Sequence, residues 1–206
     1  MDHSAEAKMD NRGMASGRAR QILMLDDDLL FATRIAPGDW HLRSIKGAEL
    51  GAEIQRLADK LGPEFPHVGF GQRQGNNQLE PGWKTPSRMV YSLGYFLPIV
   101  VKECELGRIR EDMELTLQLL RKGYPNAVWH TTVTDQRKYD SPGGATDERT
   151  VESSNADAHR LAELHPGYVF VRAKDYKASV PRKEVVCHWQ KALQDGLARS
   201  AKAKRP

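Results

Sequence analysis

Apolar and polar positions fall in blocks along this chain, and the blocks predict alternating strands and helices. Residues 1–18 are polar and rich in Gly, Ser and Ala without sustained periodicity, which reads as a flexible leader or a frayed helix. "RQILML", Arg20 to Leu25, is a short apolar run bounded by charge, as in a buried strand of a parallel sheet. From Gly47 to Gly62, Leu50, Ile54, Leu57 and Leu61 recur every three or four residues, an amphipathic helix closed by Gly62 and stopped by Pro63. "HVGFGQRQGNN" (67–77) reads as a strand entering a polar, glycine-containing loop, and "RMVYSLGYFLPIVV" (88–101) as a strand followed by a buried segment. Glu111 to Lys122 places Met113, Leu117 and Leu120 on one helix face, widened by Leu115 and Leu119, with acids first and bases last to suit the helix dipole. "AVWHTTVT" (127–134) alternates and is β-branched, hence a strand. Residues 135–155 lack a core pattern and predict a long loop around Gly143 and Gly144. A helix over Ala156 to Leu164, a strand "GYVFVRA" and a helix over "EVVCHWQKALQDGLARS" complete the series, and no internal repeat is visible. The pattern implies one α/β domain over 19–198 with a basic tail at 199–206.

Composition narrows the class. With 206 residues, 39% hydrophobic and 28% charged, the chain has enough apolar material for one core. Its two cysteines, Cys104 and Cys187, lie far apart without CxxC spacing, which argues against a disulfide scaffold or zinc site and fits a reducing cytoplasm. The longest apolar run, "YFLPIVV", is too short to span a bilayer, and the polar N-terminus lacks the apolar centre of a signal peptide. No membrane association is therefore expected, and a cytoplasmic location is. The net charge of +4 favours an anionic partner and permits nucleic acid.

Two acidic clusters fall at element ends: Asp26, Asp27 and Asp28 after the first strand, and Glu111 with Asp112 at a helix start. Aspartates at i and i+2 after a strand suit a hard divalent cation and a phosphate-bearing substrate, and the C-terminal edge of an open α/β sheet is where ligands collect. Taken singly, each cluster reads first as a solvated acidic turn or a helix start stabilised by negative charge, and only second as a site. "ILMLDDD" also matches the first strand of a receiver domain, but "HVGFGQ" lacks the phosphoacceptor aspartate of that fold and the Gly143 loop has no place in it.

In order, "LMLDDDLLFATR", "HVGFGQRQGNN", "REDMELTLQLLRKGYPNAVWHTTVTD" and "SPGGATDERT" resemble a glycosyltransferase of the GT-A fold, more narrowly the family-two-like enzymes of phages, some of which glycosylate modified DNA bases. The resemblance covers roughly residues 20–150 and implies a Rossmann-like mixed sheet flanked by helices. It assigns Mn2+ or Mg2+ contact to Asp26 and Asp28, with His130 as a further metal or diphosphate contact, and ribose or sugar contact to Asp27. Asp112 becomes the base that deprotonates the acceptor hydroxyl in an inverting transfer, and Glu111 orients acceptor or base. Arg137 and Arg149, flanking the glycine loop, would close over the diphosphate. Arg73, Asn76 and Asn77 would meet acceptor or sugar, and Trp83 or Trp129 would stack on a sugar or base. Only about 25 residues precede the DxD, so the nucleotide-binding half of that fold is shortened, as in a minimal relative, an N-terminally truncated reading frame, or a piece completed by a second copy or a partner chain.

The implied function is transfer of a sugar from a nucleoside diphosphate to a hydroxyl, with a hydroxymethylated pyrimidine in phage DNA as an acceptor and "RSAKAKRP" helping to hold the phosphate backbone. Two alternatives stand beside it. One is a noncatalytic accessory protein that binds nucleic acid or a partner through a remnant of the fold. The other is a metal-dependent nucleotidyl or phosphoryl transferase using the same carboxylates.

Overall fold

A computed structural model describes residues 21–35, 41–73, 80–96, 110–136, 150–173 and 182–203. Nine strands and four helices lie within them, in the order β1 (Gln21–Leu25), β2 (Leu29–Arg34), β3 (Leu42–Ser44), α1 (Gly47–Lys60), β4 (His67–Gln72), β5 (Trp83–Lys84), β6 (Ser92–Phe96), α2 (Glu111–Arg121), β7 (Asn126–Gln136), α3 (Val151–Leu164), β8 (Val169–Ala173), β9 (Lys183–Cys187) and α4 (Trp189–Ala203). Seven strands form one mixed sheet ordered β1-β6-β4-β7-β2-β3, with β5 paired to β7. β4 and β7 run parallel, and the other pairings are antiparallel. β8 and β9 form a separate antiparallel pair. The molecule is thus a mixed α/β structure, and among the described residues no helix is long and apolar enough to cross a membrane.

β4 lies inside the sheet, and every residue of "HVGFGQ" is buried. It lies between two cores. Val68 and Phe70 join Leu57 and Leu61 from the end of α1 on one face. On the other face Tyr95, Leu93, Met89 and Val128 meet Leu119 of α2. The far side of α2 presents Met113, Leu117 and Leu120 to Leu161 of α3, Ala192 and Leu193 of α4 and Val169 of β8. The apolar face of α2 is wide because it serves two cores, which is why Leu119 broadens the helical stripe.

The turn after β1 constrains the sheet. Only Asp26, Asp27 and Asp28 separate β1 from β2, yet β6, β4 and β7 lie between those strands. Four steps between α-carbons reach at most about 15 Å, whereas four strand spacings laid flat amount to about 19 Å. The sheet therefore curls at this end, and the acidic turn crosses beside the C-terminal ends of β4 and β7.

Several local expectations change. β1 is a half-buried edge strand paired antiparallel to β6, not a buried strand of a parallel sheet. "LLFATR", read only as part of a longer motif, is β2; its partners in β7 and β3 are distant in sequence or short. α3 begins at Val151 rather than Ala156, because Thr150 accepts from the Ser153 N–H and Ser153 reciprocates in a capping box. "EVVC" belongs to β9 and the last helix starts at Trp189: β-branched Val185 and Val186 pair across to Val171 and Phe170. That helix runs on to Ala203, into the segment read as a basic tail. The leader at 1–18, the apolar segment after Phe96 and the Gly143 loop lie outside the described residues.

Candidate active site

The two acidic segments meet at one cleft of about 420 Å³, lined by the end of β1, the 88–93 segment, the first turns of α2 and α3, and Arg182 before β9. Asp26, Glu111 and Asp112 all line it. So do Arg88, Arg110 and Arg182.

Local backbone geometry builds this site. Arg110 precedes α2 in a left-handed conformation (φ 73°) and gives the helix no side-chain cap. Asp112 supplies one instead, its Oδ1 accepting the Met113 N–H at 2.8 Å. Tyr91 is the other non-glycine residue with positive φ among those described (65°). Its carbonyl accepts the Asp26 N–H at 3.2 Å, and its own N–H donates to the Asp112 carboxylate. Residues held in costly backbone conformations cluster at functional sites because the surrounding structure holds them there, and both of these line the cleft.

Asp112 is the electrostatically distinctive group. Burial, and next the neighbouring charge of Glu111, push its carboxyl up to about 7, against the opposing N–H groups of Met113 and Tyr91 and the charge of Arg88. A carboxylate in that range is half ionised near neutrality and can take a proton from a hydroxyl. Cys187 is close enough to feel Arg88 and Arg110, but burial dominates and pushes its thiol up to about 11, so it is not a thiolate nucleophile at neutral pH.

The other residues singled out in the sequence are spread out. Asp27 is exposed and Asp28 half-buried, and neither lines the cleft. His130 does not line it either: it is 1% exposed within β7, its Nε2 lies 3.3 Å from Ser87 Oγ, and burial pushes its pKa down to about 4. Its Nδ1 is enclosed without a partner, packed so closely on Gly71 that a Cβ there would lie 2.7 Å away. Arg73 stands at the end of β4 and pairs with Asp135 at 3.5 Å. Asn76, Asn77, Arg137 and Arg149 lie outside the described residues. Trp129 donates from Nε1 to Glu53 at 2.6 Å, packs 5.0 Å from Trp83 and is covered by Arg56, an arrangement that joins α1 to the sheet.

Among the described residues no group of three or more His, Cys, Asp or Glu side chains is placed to hold a metal ion. Asp26, Asp28 and His130 in particular are not gathered into one centre: Asp26 lines the cleft, and Asp28 and His130 do not.

Sequence reasoning missed Arg88, Tyr91, Arg110 and Arg182. Arg110 directly precedes the acidic pair, where an arginine reads as a solvated charge; the only available signal was "RIRED", a basic pair abutting an acidic one. Compared with known proteins, the chain matches no family model, no curated protein and no solved structure.

Proposed function

We propose that this cleft is the active site of a glycosyltransferase that moves a sugar from a nucleoside diphosphate to a hydroxyl acceptor. The observation that carries the reading is Asp112: a half-buried carboxyl, raised to about 7, sharing a cleft with Asp26 and three arginines. Holding an ionisable carboxyl there costs stability, and a purely structural helix start would leave it in water.

In this mechanism the acceptor hydroxyl hydrogen-bonds to ionised Asp112, which takes its proton as the oxygen attacks the anomeric carbon of the donor sugar. The bond from that carbon to the diphosphate oxygen breaks, and the negative charge gathering on phosphate faces the guanidinium-lined side of the cleft. Asp26 accepts a hydrogen bond from the sugar or acceptor. Attack opposite the leaving group inverts the anomeric centre. The hydroxymethylated pyrimidine implied by the sequence resemblance carries a hydroxyl of the required kind.

Incubation with a panel of labelled nucleotide sugars and hydroxymethylated DNA tests the reading. The expected result is release of nucleoside diphosphate with labelled sugar appearing on the acceptor, lost in Asp112→Asn and retained in Arg160→Ala on the exposed face of α3. Release of pyrophosphate from a nucleoside triphosphate would point to nucleotidyl transfer instead. Nucleotide or DNA binding without turnover of any donor would point to the accessory role.

A further inference from the structure

Three arginines from distant parts of the chain, Arg88, Arg110 and Arg182, converge on the cleft. None of them is in an ion pair with a described carboxylate; Arg110 feels the opposing charge of Arg88 and the favourable charges of Asp157 and Asp112 at longer range. Arg110 Nη2 reaches Ser154 Oγ at 3.4 Å. Its Nε is shut off from solvent and donates to no described group. Two mutually repelling guanidiniums side by side are costly, and an anion seated between them would remove that cost.

Two helix starts add to the same field. The first turn of α2 contributes Glu111 to Met113, and the first turn of α3 contributes Thr150, Val151 and Ser154. The Thr150 capping box takes the Ser153 N–H, leaving the preceding N–H groups of that turn outside the helix ladder. Asp26 and Glu111 bring two carboxylates to the cleft and Asp112 a partly protonated one, so three guanidiniums keep the balance positive.

We propose that Arg88, Arg110 and Arg182, with the starts of α2 and α3, form a pyrophosphate-binding site that works without a divalent cation. The inference rests on the transferase reading only in taking the bound group to be the leaving diphosphate. Guanidiniums lining the cleft supply the positive charge that a cation would otherwise bring to a phosphate group.

The test is calorimetric titration of the full chain with inorganic pyrophosphate in excess EDTA. Binding is expected in EDTA, with an affinity changed by less than about threefold when Mg2+ or Mn2+ replaces the chelator. Arg88→Gln and Arg182→Gln, both exposed positions whose loss leaves the core intact, are each expected to weaken it by about tenfold or more. No binding in EDTA, binding that appears only with the cation, or affinity unchanged in both variants would overturn the proposal. Pyrophosphate binding with no sugar transfer would overturn the transferase reading and leave this site standing. Cation-dependent sugar transfer without pyrophosphate binding in EDTA would do the reverse.

Discussion

The main-chain N–H of Asp26 donates to the carbonyl of Tyr91 at 3.2 Å. Since the Tyr91 N–H donates to Asp112, one residue ties both acidic segments together through its backbone alone. It does so at φ 65°, where a Cβ is unfavourable. Tyr91→Gly and Tyr91→Ala both keep these main-chain groups and both lose the ring. The glycine variant is expected to be more stable than the alanine variant by about 1 kcal/mol in urea unfolding, the reverse of the usual order.

Asp112 sets a pH dependence of known sign. Its folded pKa, about 7, lies above its ordinary value, so the folded state binds the proton more tightly. The stability this contributes is full below about pH 4 and is lost as pH rises through 7. Asp112→Asn removes the loss: relative to wild type it should gain on the order of 2 kcal/mol between pH 4 and pH 8, less than complete burial would give because the cleft admits water. Thermal melts across that range measure it. Transfer activity in the wild type should rise with pH to a plateau above about 7, because the base must be ionised.

Two helical glycines should respond to alanine with opposite signs. Gly51, within α1, has open space where a Cβ would go. Gly51→Ala is expected to stabilise by up to about 1 kcal/mol through helix propensity. At Gly196 in α4 a Cβ would lie 2.2 Å from the Leu120 carbonyl oxygen and 2.6 Å from the Gly123 nitrogen, where α4 crosses the end of α2. Gly196→Ala must push the helices apart and should cost about 2 kcal/mol or more. Denaturant midpoints of the two variants decide it.

Burial holds three histidines, His67, His130 and His165, neutral, pushing each down to about 4. His67 Nδ1–H donates to the Gly94 carbonyl at 3.0 Å, and its Nε2 accepts from the Thr116 hydroxyl at 3.2 Å. Because the folded values lie below the ordinary one, their contribution is full above about pH 6.5 and is lost as pH falls toward 4. Each adds up to about 1.4 kcal/mol per pH unit to the slope. In Asp112→Asn, which removes the opposing titration, stability should fall monotonically on acidification from pH 6.5 to 4. A flat profile in calorimetry would show these histidines to be hydrated and protonated in the folded protein.

Elements whose burial shows in their own run of apolar residues were legible. α1 shows its buried stripe in Leu57 and Leu61, α2 in Met113, Leu117 and Leu120, and β4 and β7 in unbroken or β-branched apolar runs. β2 and β9 were not, because a strand is stabilised by the partner it pairs with, and those pairings join Phe31 to Thr134 and Val185 to Val171. Of the site, Asp26, Glu111 and Asp112 were visible as carboxylates at element ends. Asp28 shared that pattern, and His130 was singled out within a strand, yet both stand apart from the cleft, since which side of a tight turn or strand reaches a cleft depends on sheet curl.

The sequence by itself determined where α1, α2, β4 and β7 lie and where the acidic clusters fall along the chain, because periodicity and capping are local and are written in neighbouring residues. Only the tertiary structure decided that Asp26 and Asp112 share a cleft, that the Asp112 carboxyl is raised to about 7, and that Arg88, Arg110 and Arg182 surround them. Proximity between segments, and the desolvation it causes, arises from packing around β4 and α2, and no spacing along the chain encodes it.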